Sequence, residues 1–177
     1  PKVVEKITRK LGQKALIEEF IEGRELTVGI IGYREPIVLP IVEIGYNSVK
    51  TNTFEHKMYD MELIKCPADL TKEEEKKVKD VALRVYKVLN AKDFSRIDMI
   101  LGKDGIPYFL EINTFAGLTM DSRKDNEGNM KIHHGYMGYA AKAYGMTSSE
   151  FLGKILESAI DRYGLAETEK IGEKSIS

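Results

Sequence analysis

The sequence contains no tryptophan and only one cysteine, Cys66, and its formal net charge is −1. A single cysteine excludes an internal disulfide, and its place before a proline favours a packed apolar role over that of a nucleophile. The low net charge gives no reason to predict nucleic acid or a membrane surface as a partner. No apolar run approaches the roughly 18 residues of a transmembrane helix, and no signal peptide opens the chain. We therefore expect a cytoplasmic protein.

The sequence does contain enough apolar residues for a core, and clear helix boundaries. Of its 177 residues, 42% are hydrophobic, which suits one domain or two small lobes. Thr71 and Glu74 form the capping box of a helix whose apolar residues recur at helical spacing until Asn90. The other predicted elements are a helix ending near Leu11, strands near 15–22, 25–32 and 36–45, and a helix over 148–163 that ends at Gly164. We assign 1–165 to one domain and 166–177 to a polar tail.

The most informative segment is a predicted β-hairpin. Asp104-Gly105 between two apolar runs is the strongest short-range signal for a two-residue hairpin loop. With that loop, Asp98 lies opposite Glu111 and Arg96 lies opposite Asn113. Because side chains alternate along a strand, the four polar groups then share one face of the sheet.

The other positions of this hairpin are apolar, and we expect Ile97, Met99, Leu110 and Ile112 to fill the opposite, buried face. Two carboxylates and an amide on the polar face suit Mg²⁺, which takes one or two carboxylates and leaves its other positions to water and phosphate oxygens. A guanidinium beside them would neutralise a developing oxyanion. The alternative is a solvated face with an ordinary salt bridge, because acids and arginines are common on exposed strands.

Two further motifs accompany the hairpin. They are Glu-Glu-Phe-Ile-Glu-Gly-Arg-Glu-Leu-Thr-Val at 18–28 and Glu-Ile-Asn-Thr-Phe-Ala-Gly-Leu-Thr at 111–119. Together with the hairpin they resemble the carboxy-terminal half of the D-alanine-D-alanine ligases, members of the ATP-grasp superfamily. The resemblance runs from about residue 16 to residue 165 with one interruption. It implies an α+β fold, the ATP-grasp carboxy-terminal lobe, with a mostly antiparallel sheet flanked by helices.

The resemblance also implies a reaction, ATP-driven ligation for peptidoglycan synthesis. One D-alanine carboxylate is phosphorylated to an acyl phosphate, and the amine of a second D-alanine displaces phosphate. ATP and two Mg²⁺ ions, with Mn²⁺ as an alternative, are the implied cofactors. Asp98, Glu111 and Asn113 become the metal ligands, and Arg96 the cation that stabilises the transferred phosphoryl group. This agrees with the rule that phosphoryl transfer depends on positioning and charge neutralisation.

For the nucleotide, the resemblance implies contacts from Glu18, Phe20, Ile21, Glu25 and Leu110. Phe20 would form one wall of the adenine site, the backbone near Ile21 would bond to the base, and Glu25 would hold the ribose hydroxyls. Without the resemblance, Phe20 would be interpreted as a core residue and Glu25 as an exposed strand residue.

Two more residues match family positions that contact phosphates. Lys57 matches the lysine of a mobile loop that closes over them, although a lysine in a polar loop is usually only solvated. Gly117 matches a turn whose backbone amides can approach an oxyanion without a Cβ in the way. Met58 follows the lysine where the family commonly has an aromatic residue, which leaves the choice of second substrate open.

The residues that match the binding site of the second amino acid, the acceptor, differ most from the family pattern. Ser122 maps to the hydroxyl that holds the acceptor carboxylate, and Arg123 could clamp such a carboxylate bidentately. An insertion over 123–137 is either a lid that reshapes substrate choice or a tolerated surface loop. His133 and His134 within it carry no metal-binding signature.

Three hypotheses stay open. The chain belongs to a D-alanine-D-alanine ligase, to an ATP-grasp ligase with another amino acid or acceptor, or to a non-catalytic ATP-binding module. The amino-terminal donor domain and the middle lobe of the family do not precede residue 1, so we expect an enzyme fragment that does not turn over alone. Its partners would be D-alanine and those missing lobes. The resemblance allows a homodimer, but no sequence feature establishes one.

Overall fold

The computed structural model describes residues 2–46, 62–120, 123–124, 130–131 and 135–165. This part of the chain contains four helices and eight strands. In chain order they are α1 (Lys2–Leu11), β1 (Gly23–Ile31), β2 (Ile37–Val38), β3 (Val42–Tyr46), β4 (Glu62–Lys65), α2 (Lys72–Val88), β5 (Phe94–Gly102), β6 (Pro107–Asn113), β7 (Arg123–Lys124), β8 (Met130–Lys131), α3 (Tyr136–Tyr144) and α4 (Ser148–Tyr163).

The main sheet is antiparallel, with β1 at its centre. Its strand order is β4-β3-β1-β5-β6, β2 also pairs with β1, and β7 and β8 form a separate pair. β1 and β5 are paired along their whole length, from Gly23 opposite Gly102 to Ile31 opposite Phe94. This architecture confirms the predicted α+β fold with an antiparallel sheet flanked by helices.

One face of the sheet is covered by α2. Alternate residues of β1, beginning with Leu26 and Val28, are fully buried on this face. They pack in one core cluster with Val78, Ala82 and Tyr86 of α2, which recur every four residues as an amphipathic helix requires. The capping box of Thr71 and Glu74 begins this helix as predicted.

The other face of the sheet is only partly covered. Ile31 at the end of β1 and Val42 of β3 pack with Met137 of α3 and Phe151 of α4 in a second core cluster. The residues of this face nearer the start of β1 lie outside the cluster, so the sheet stays open there. α4 has the predicted bounds and ends at Gly164, whose φ of 67° is in the left-handed region that favours glycine.

The hairpin between β5 and β6 differs from the predicted one at its tip. Gly102 and Ile106 pair there, since Gly102 N–H donates to Ile106 O at 2.9 Å, and the loop therefore has three residues. Gly105 takes a φ of +73°, as the last residue of a three-residue loop does. A β-bulge follows: Asp98 pairs with residue 111 while residue 99 pairs with residue 109, so that Leu110 is the extra residue.

The bulge explains why a wrong loop length still gave the right register at the site. The additional loop residue shifts the pairing by one position, and Leu110 shifts it back. The prediction for Leu110 itself was wrong, because its side chain is 52% exposed and does not fill the buried face. Ile97 and Met99 are fully buried there, as predicted, and Ile112 packs against the same core.

Two predicted strands also differ from the structure. Residues 12–22 form no strand, and no described strand pairs with them to bond their backbone groups. The strand predicted over 36–45 is divided into β2 and β3 around Pro40, which has no N–H to donate to a neighbouring strand. The tail assigned to 166–177 lies outside the described residues, and the extent of the domain stays a prediction. None of the helices described is both long and apolar enough for a bilayer crossing.

Candidate functional site

A cavity opens on the uncovered part of the sheet, at the place predicted for the polar hairpin face. Its volume is about 350 Å³. Four carboxylates and one guanidinium are among the side chains that line it. The lining residues are Glu18, Glu25, Ile44, Arg96, Asp98, Phe109, Leu110, Glu111 and Tyr136. Among the described residues, the cavity is acidic and is lined by one cationic side chain, which suits a positively charged species together with an anion.

The strand register brings the polar residues of this cavity together. In the β5–β6 pair Arg96 lies opposite Asn113 and Asp98 lies opposite Glu111, which confirms the predicted pairing. On its other side β5 pairs with β1, and there Asp98 lies opposite Thr27. Asp98 is therefore flanked by polar side chains on both neighbouring strands.

Asp98 is the centre of the hydrogen-bond network. Its Oδ1 accepts from Thr27 Oγ1 at 2.5 Å and from Arg96 Nε at 2.9 Å. Its Oδ2 accepts from Arg96 Nη2 and from Asn113 Nδ2, each at 2.8 Å. Its side chain is only 14% exposed. Four donated bonds compensate the loss of water around this carboxylate.

Arg96 is held in a fixed place by the same carboxylate. It is bound bidentately by Asp98, and its side chain is 20% exposed. Burial acts to lower the pKa of Arg96, but the hydrogen bond and the negative charge of Asp98 outweigh burial and raise the pKa above its ordinary value. The ring of Tyr136 lies over the guanidinium, 5.1 Å from Cζ to the ring centroid. The arginine is therefore charged at neutral pH.

Glu111 and Asn113 complete the group. Asn113 Nδ2 donates to Glu111 Oε1 at 3.0 Å as well as to Asp98. A single nitrogen therefore bridges the two carboxylates, which converge on one point. The described residues hold no cluster of three or more His, Cys, Asp or Glu that could bind a metal. Two carboxylates and an amide oxygen are nevertheless the hard oxygen donors that Mg²⁺ takes alongside phosphate and water, so this donor set fits the predicted ion.

The residues predicted for the nucleotide are brought together in part. Glu18, Glu25 and Leu110 line the cavity. Phe20 and Ile21 lie in the segment that leads into β1 and are not among the described lining residues, and Phe20 is 66% exposed.

Gly117 follows β6 in a segment that rests on the start of α3. Gly135 N–H donates to Thr119 O at 2.9 Å. A Cβ on Gly135 or on Gly138 would overlap the carbonyl oxygen of Gly117 or Thr119 respectively, so the two backbones are in direct contact. A Cβ on Gly117 itself would meet nothing within 4 Å, and its role at an oxyanion stays a prediction.

The other predicted site residues lie wholly or partly outside the described residues. Lys57 and Ser122 lie outside the described residues, as do Met58 and the two histidines, His133 and His134. Arg123 begins β7 and pairs with residue 131, but its side chain is outside the description. Their assigned roles remain predictions.

Sequence reasoning missed the two residues Thr27 and Tyr136, which contact Asp98 and Arg96, and it also missed Ile44 and Phe109 of the cavity lining. The signal for Thr27 was present, because in the strand predicted near 25–32 it stands at an alternate position from Glu25 and so on the same face. Tyr136 lies within the predicted insertion, and no local pattern indicated that it reaches Arg96.

The fold and the cavity first define a class of protein. A paired acid and arginine, a second carboxylate and an amide lie on one open face of an antiparallel sheet, and these groups are chemically suited to phosphate together with a divalent cation. Comparison with known families then identifies the chain more closely. The model of the family described as D-ala D-ala ligase C-terminus matches residues 2–127. The chain belongs to this family, as the sequence motifs predicted.

Individual relatives agree with this assignment. The D-alanine--D-alanine ligase of Nitrosospira multiformis is 34% identical over 144 residues, which are 80% of this chain and 41% of the relative. The structure of D-alanine--D-alanine ligase from Bacillus anthracis complexed with ATP is similar with a TM-score of 0.67 at 24% identity, over 90% of this chain and 46% of that one. The VanG D-Ala:D-Ser ligase of Enterococcus faecalis has a TM-score of 0.59 at 28% identity, over 79% and 37%. The chain therefore spans less than half the length of each.

Proposed function

We propose that this chain forms one wall of the active site of a cytoplasmic ATP-dependent ligase, which joins two D-alanine molecules through an acyl phosphate for peptidoglycan synthesis. The observation that carries the proposal is the network around Asp98, in which a charged arginine and a second carboxylate line one open cavity and the amide of Asn113 bridges the two carboxylates. Membership of the ligase family and the ATP in the complex of a structural neighbour support it.

The metal side of the site is assigned to Asp98, Glu111 and Asn113. These residues would hold Mg²⁺, as two ions, with Mn²⁺ as an alternative. The bound ions would supply neutralisation of phosphate oxygens during transfer. The protein's own contribution is to hold the two carboxylates close together through Asn113 Nδ2, and the amide would turn to present its oxygen to a bound ion.

Arg96 is assigned to the transferred phosphoryl group. Two of the five N–H donors of a guanidinium bind Asp98, which leaves three for other acceptors. A cation fixed in this way costs little to orient when negative charge develops on the phosphoryl oxygens. Lys57 and Gly117 are proposed to contact the same phosphates.

The residues predicted from the sequence to contact the nucleotide are also the ones proposed here. Glu25 would hold the ribose hydroxyls, Phe20 and the backbone near Ile21 would contact adenine, and Glu18 and Leu110 would line the approach. Three of these five residues line the same cavity as Asp98, which supports the proposal that ribose and phosphate bind within one opening.

A second candidate is a ligase with a different acceptor. The similarity to a D-Ala:D-Ser ligase supports it, as does Met58 in place of the usual aromatic residue. Ser122 and Arg123 are the residues proposed to bind the acceptor carboxylate in either case. An acceptor panel assayed with the full-length protein would separate D-alanine from D-serine and other amino acids by their kcat/KM values.

The test of the proposal is a titration of the 177-residue chain with Mg-ATP, followed by calorimetry and by amide NMR shifts. Glu111→Gln and Asn113→Ala each remove one proposed ligand, and we expect either to weaken binding by roughly 1–3 kcal/mol. Glu157→Gln, the same chemical change at an exposed residue paired with Lys154, is the matched control and should bind as the parent does. Equal binding by all four proteins would contradict the metal assignment.

The third hypothesis is separated by activity. A non-catalytic ATP-binding module would bind Mg-ATP without supporting dipeptide formation by the full-length protein, whereas a ligase would support it. The proposed homodimer is tested by sedimentation of the same chain at several concentrations.

A further inference from the structure

Tyr136 is the one aromatic side chain that both lines the cavity and contacts Arg96 in the part of the chain that the structure describes. It is the first residue of α3, and its ring centroid lies 5.1 Å from Arg96 Cζ. The ring also packs at the edge of the core cluster that joins α3 to the sheet. It therefore contacts the guanidinium on one side and the protein interior on another.

The contact with Tyr136 complements the contact with Asp98. Asp98 binds two N–H groups along one edge of the guanidinium plane, at 2.8 and 2.9 Å. These bonds limit movement within the plane, but the guanidinium can still tilt about the edge that they hold. A ring over the face restricts that tilt, because a cation is attracted to the face of an aromatic ring and excluded sterically from its volume. The two contacts together fix the group in three dimensions.

The ring is itself held by tight backbone packing around α3. Gly135, which precedes it, donates its N–H to Thr119 O at 2.9 Å. Met137, which follows it, packs against Gly29 so closely that a Cβ there would lie 2.7 Å from the methionine sulfur. Gly29 is the β1 residue opposite Arg96. The helix therefore sits directly above the strand pair that carries the arginine, and the ring position is set by the sheet.

From these contacts we infer that Tyr136 is a positioning residue of the phosphoryl-transfer site, which holds the guanidinium of Arg96 at the angle needed to meet phosphate oxygens. The inference rests on the proposed function of that site. Tyr136 acts through its ring, so phenylalanine should replace it and an aliphatic residue of similar volume should not.

The test compares Tyr136→Leu, Tyr136→Phe and Tyr144→Leu with the parent chain. Tyr144 is a half-exposed tyrosine at the other end of the same helix, so its variant controls for the loss of a tyrosine from α3. The first readout is the ¹H–¹⁵N signal of Arg96 Nε, assigned with Arg96→Lys. We expect the ring-current shift of this signal to disappear in Tyr136→Leu only.

The second readout is the affinity for Mg-ATP measured by NMR titration. We expect Tyr136→Leu to bind three- to tenfold more weakly, and Tyr136→Phe and Tyr144→Leu to bind as the parent does. Parental affinity and a parental Arg96 signal in Tyr136→Leu would overturn the inference while leaving the proposed function intact. A parent chain that does not respond to Mg-ATP would instead contradict the proposed function, and this inference with it.

Discussion

Replacement of Thr27 by valine is the sharpest test of the network around Asp98. Thr27 is 1% exposed, and its hydroxyl donates to Asp98 Oδ1 at 2.5 Å. Valine has nearly the same shape and suits a strand, so the substitution removes one hydrogen bond without creating a cavity. A hydrogen bond to a charged group contributes about 1.5–3 kcal/mol. Because Oδ1 still accepts from Arg96 Nε, we expect the lower end, about 1.5 kcal/mol.

This loss is measurable by urea and thermal unfolding. For a chain of this size 1 kcal/mol shifts Tm by about 2–4 °C, so Thr27→Val should lower Tm by about 3–6 °C. Far-UV circular dichroism is the suitable probe, since the chain has no tryptophan. Thr8→Val is the matched control, because the Thr8 hydroxyl donates to a neutral carbonyl, Val4 O, at an exposed position. We expect it to change stability by less than about 0.5 kcal/mol.

The contribution of the negative charge of Asp98 to its hydrogen bond with Thr27 is tested in a double-mutant cycle. In an Asp98→Asn background the effect of Thr27→Val should fall to less than half, because the acceptor is then neutral. A Thr27→Val variant as stable as the parent, or one with the same cost in both backgrounds, would refute the reasoning that a buried carboxylate depends on this hydroxyl.

Two further predictions concern contacts outside the cavity, the ion pair of Arg162 with Asp93 and the packing of Gly138 on Thr119. Arg162 Nη2 donates to Asp93 Oδ2 at 2.6 Å and, by this bond chiefly, lowers the pKa of Asp93. This ion pair therefore stabilises the fold fully above the unfolded-state pKa of Asp93, about 3.9. Its contribution is lost as the pH falls through the lower pKa of Asp93 in the folded protein. Arg162→Met should therefore lower Tm at pH 7 and flatten the dependence of Tm on pH between about pH 5 and 2. Gly138→Ala should lower Tm and displace the segment around Thr119, because the new Cβ would overlap Thr119 O, which is visible as shifted amide signals there.

Each of these two predictions has a control in the same chain. Asp161→Asn removes an exposed ion pair with Arg34 and should leave the acid profile unchanged, whereas an equal effect of both variants would contradict the role given to Arg162. Gly153→Ala places a Cβ in open space within α4, and should stabilise by roughly 0.5–1 kcal/mol. If Gly138→Ala gained stability in the same way, α3 would not be in tight contact with the segment around Thr119, and the prediction would be wrong.

The sequence predicted the parts of this fold that local chemistry determines. The capping box at Thr71, the end of α4 at Gly164 and the alternation of β5 depend on neighbouring residues, and all are found in the structure. The strand predicted near 15–22 failed because a strand depends on a partner that its own sequence does not specify. Thr27 was missed for a related reason, since the pairing of β1 with β5 joins positions 71 residues apart.

The candidate site was predicted in its polar centre and not at its edges. Asp98, Glu111 and Asn113 lie on two strands of one hairpin, where short-range pairing fixes which side chains meet. Tyr136 reaches Arg96 through a helix 40 residues further along, whose place is set by tertiary packing rather than by any local pattern. Local periodicity cannot encode such a contact.

The bulge at Leu110 divides the hairpin into two parts that differ in strand register. On the turn side of the bulge, Gly102 pairs with Ile106 and residue 99 pairs with residue 109. On the other side of the bulge, Asp98 pairs with Glu111. Deleting Leu110 would remove the bulge and let a regular ladder run from residues 99 and 109 directly to Asp98 and Glu111, whereas a change of the turn would act on the tip alone. The tip of this hairpin, which touches the segment before β1 only through Lys103 and Glu22 among the described contacts of the turn, is therefore a better position for a spectroscopic label than the strands that carry the carboxylates.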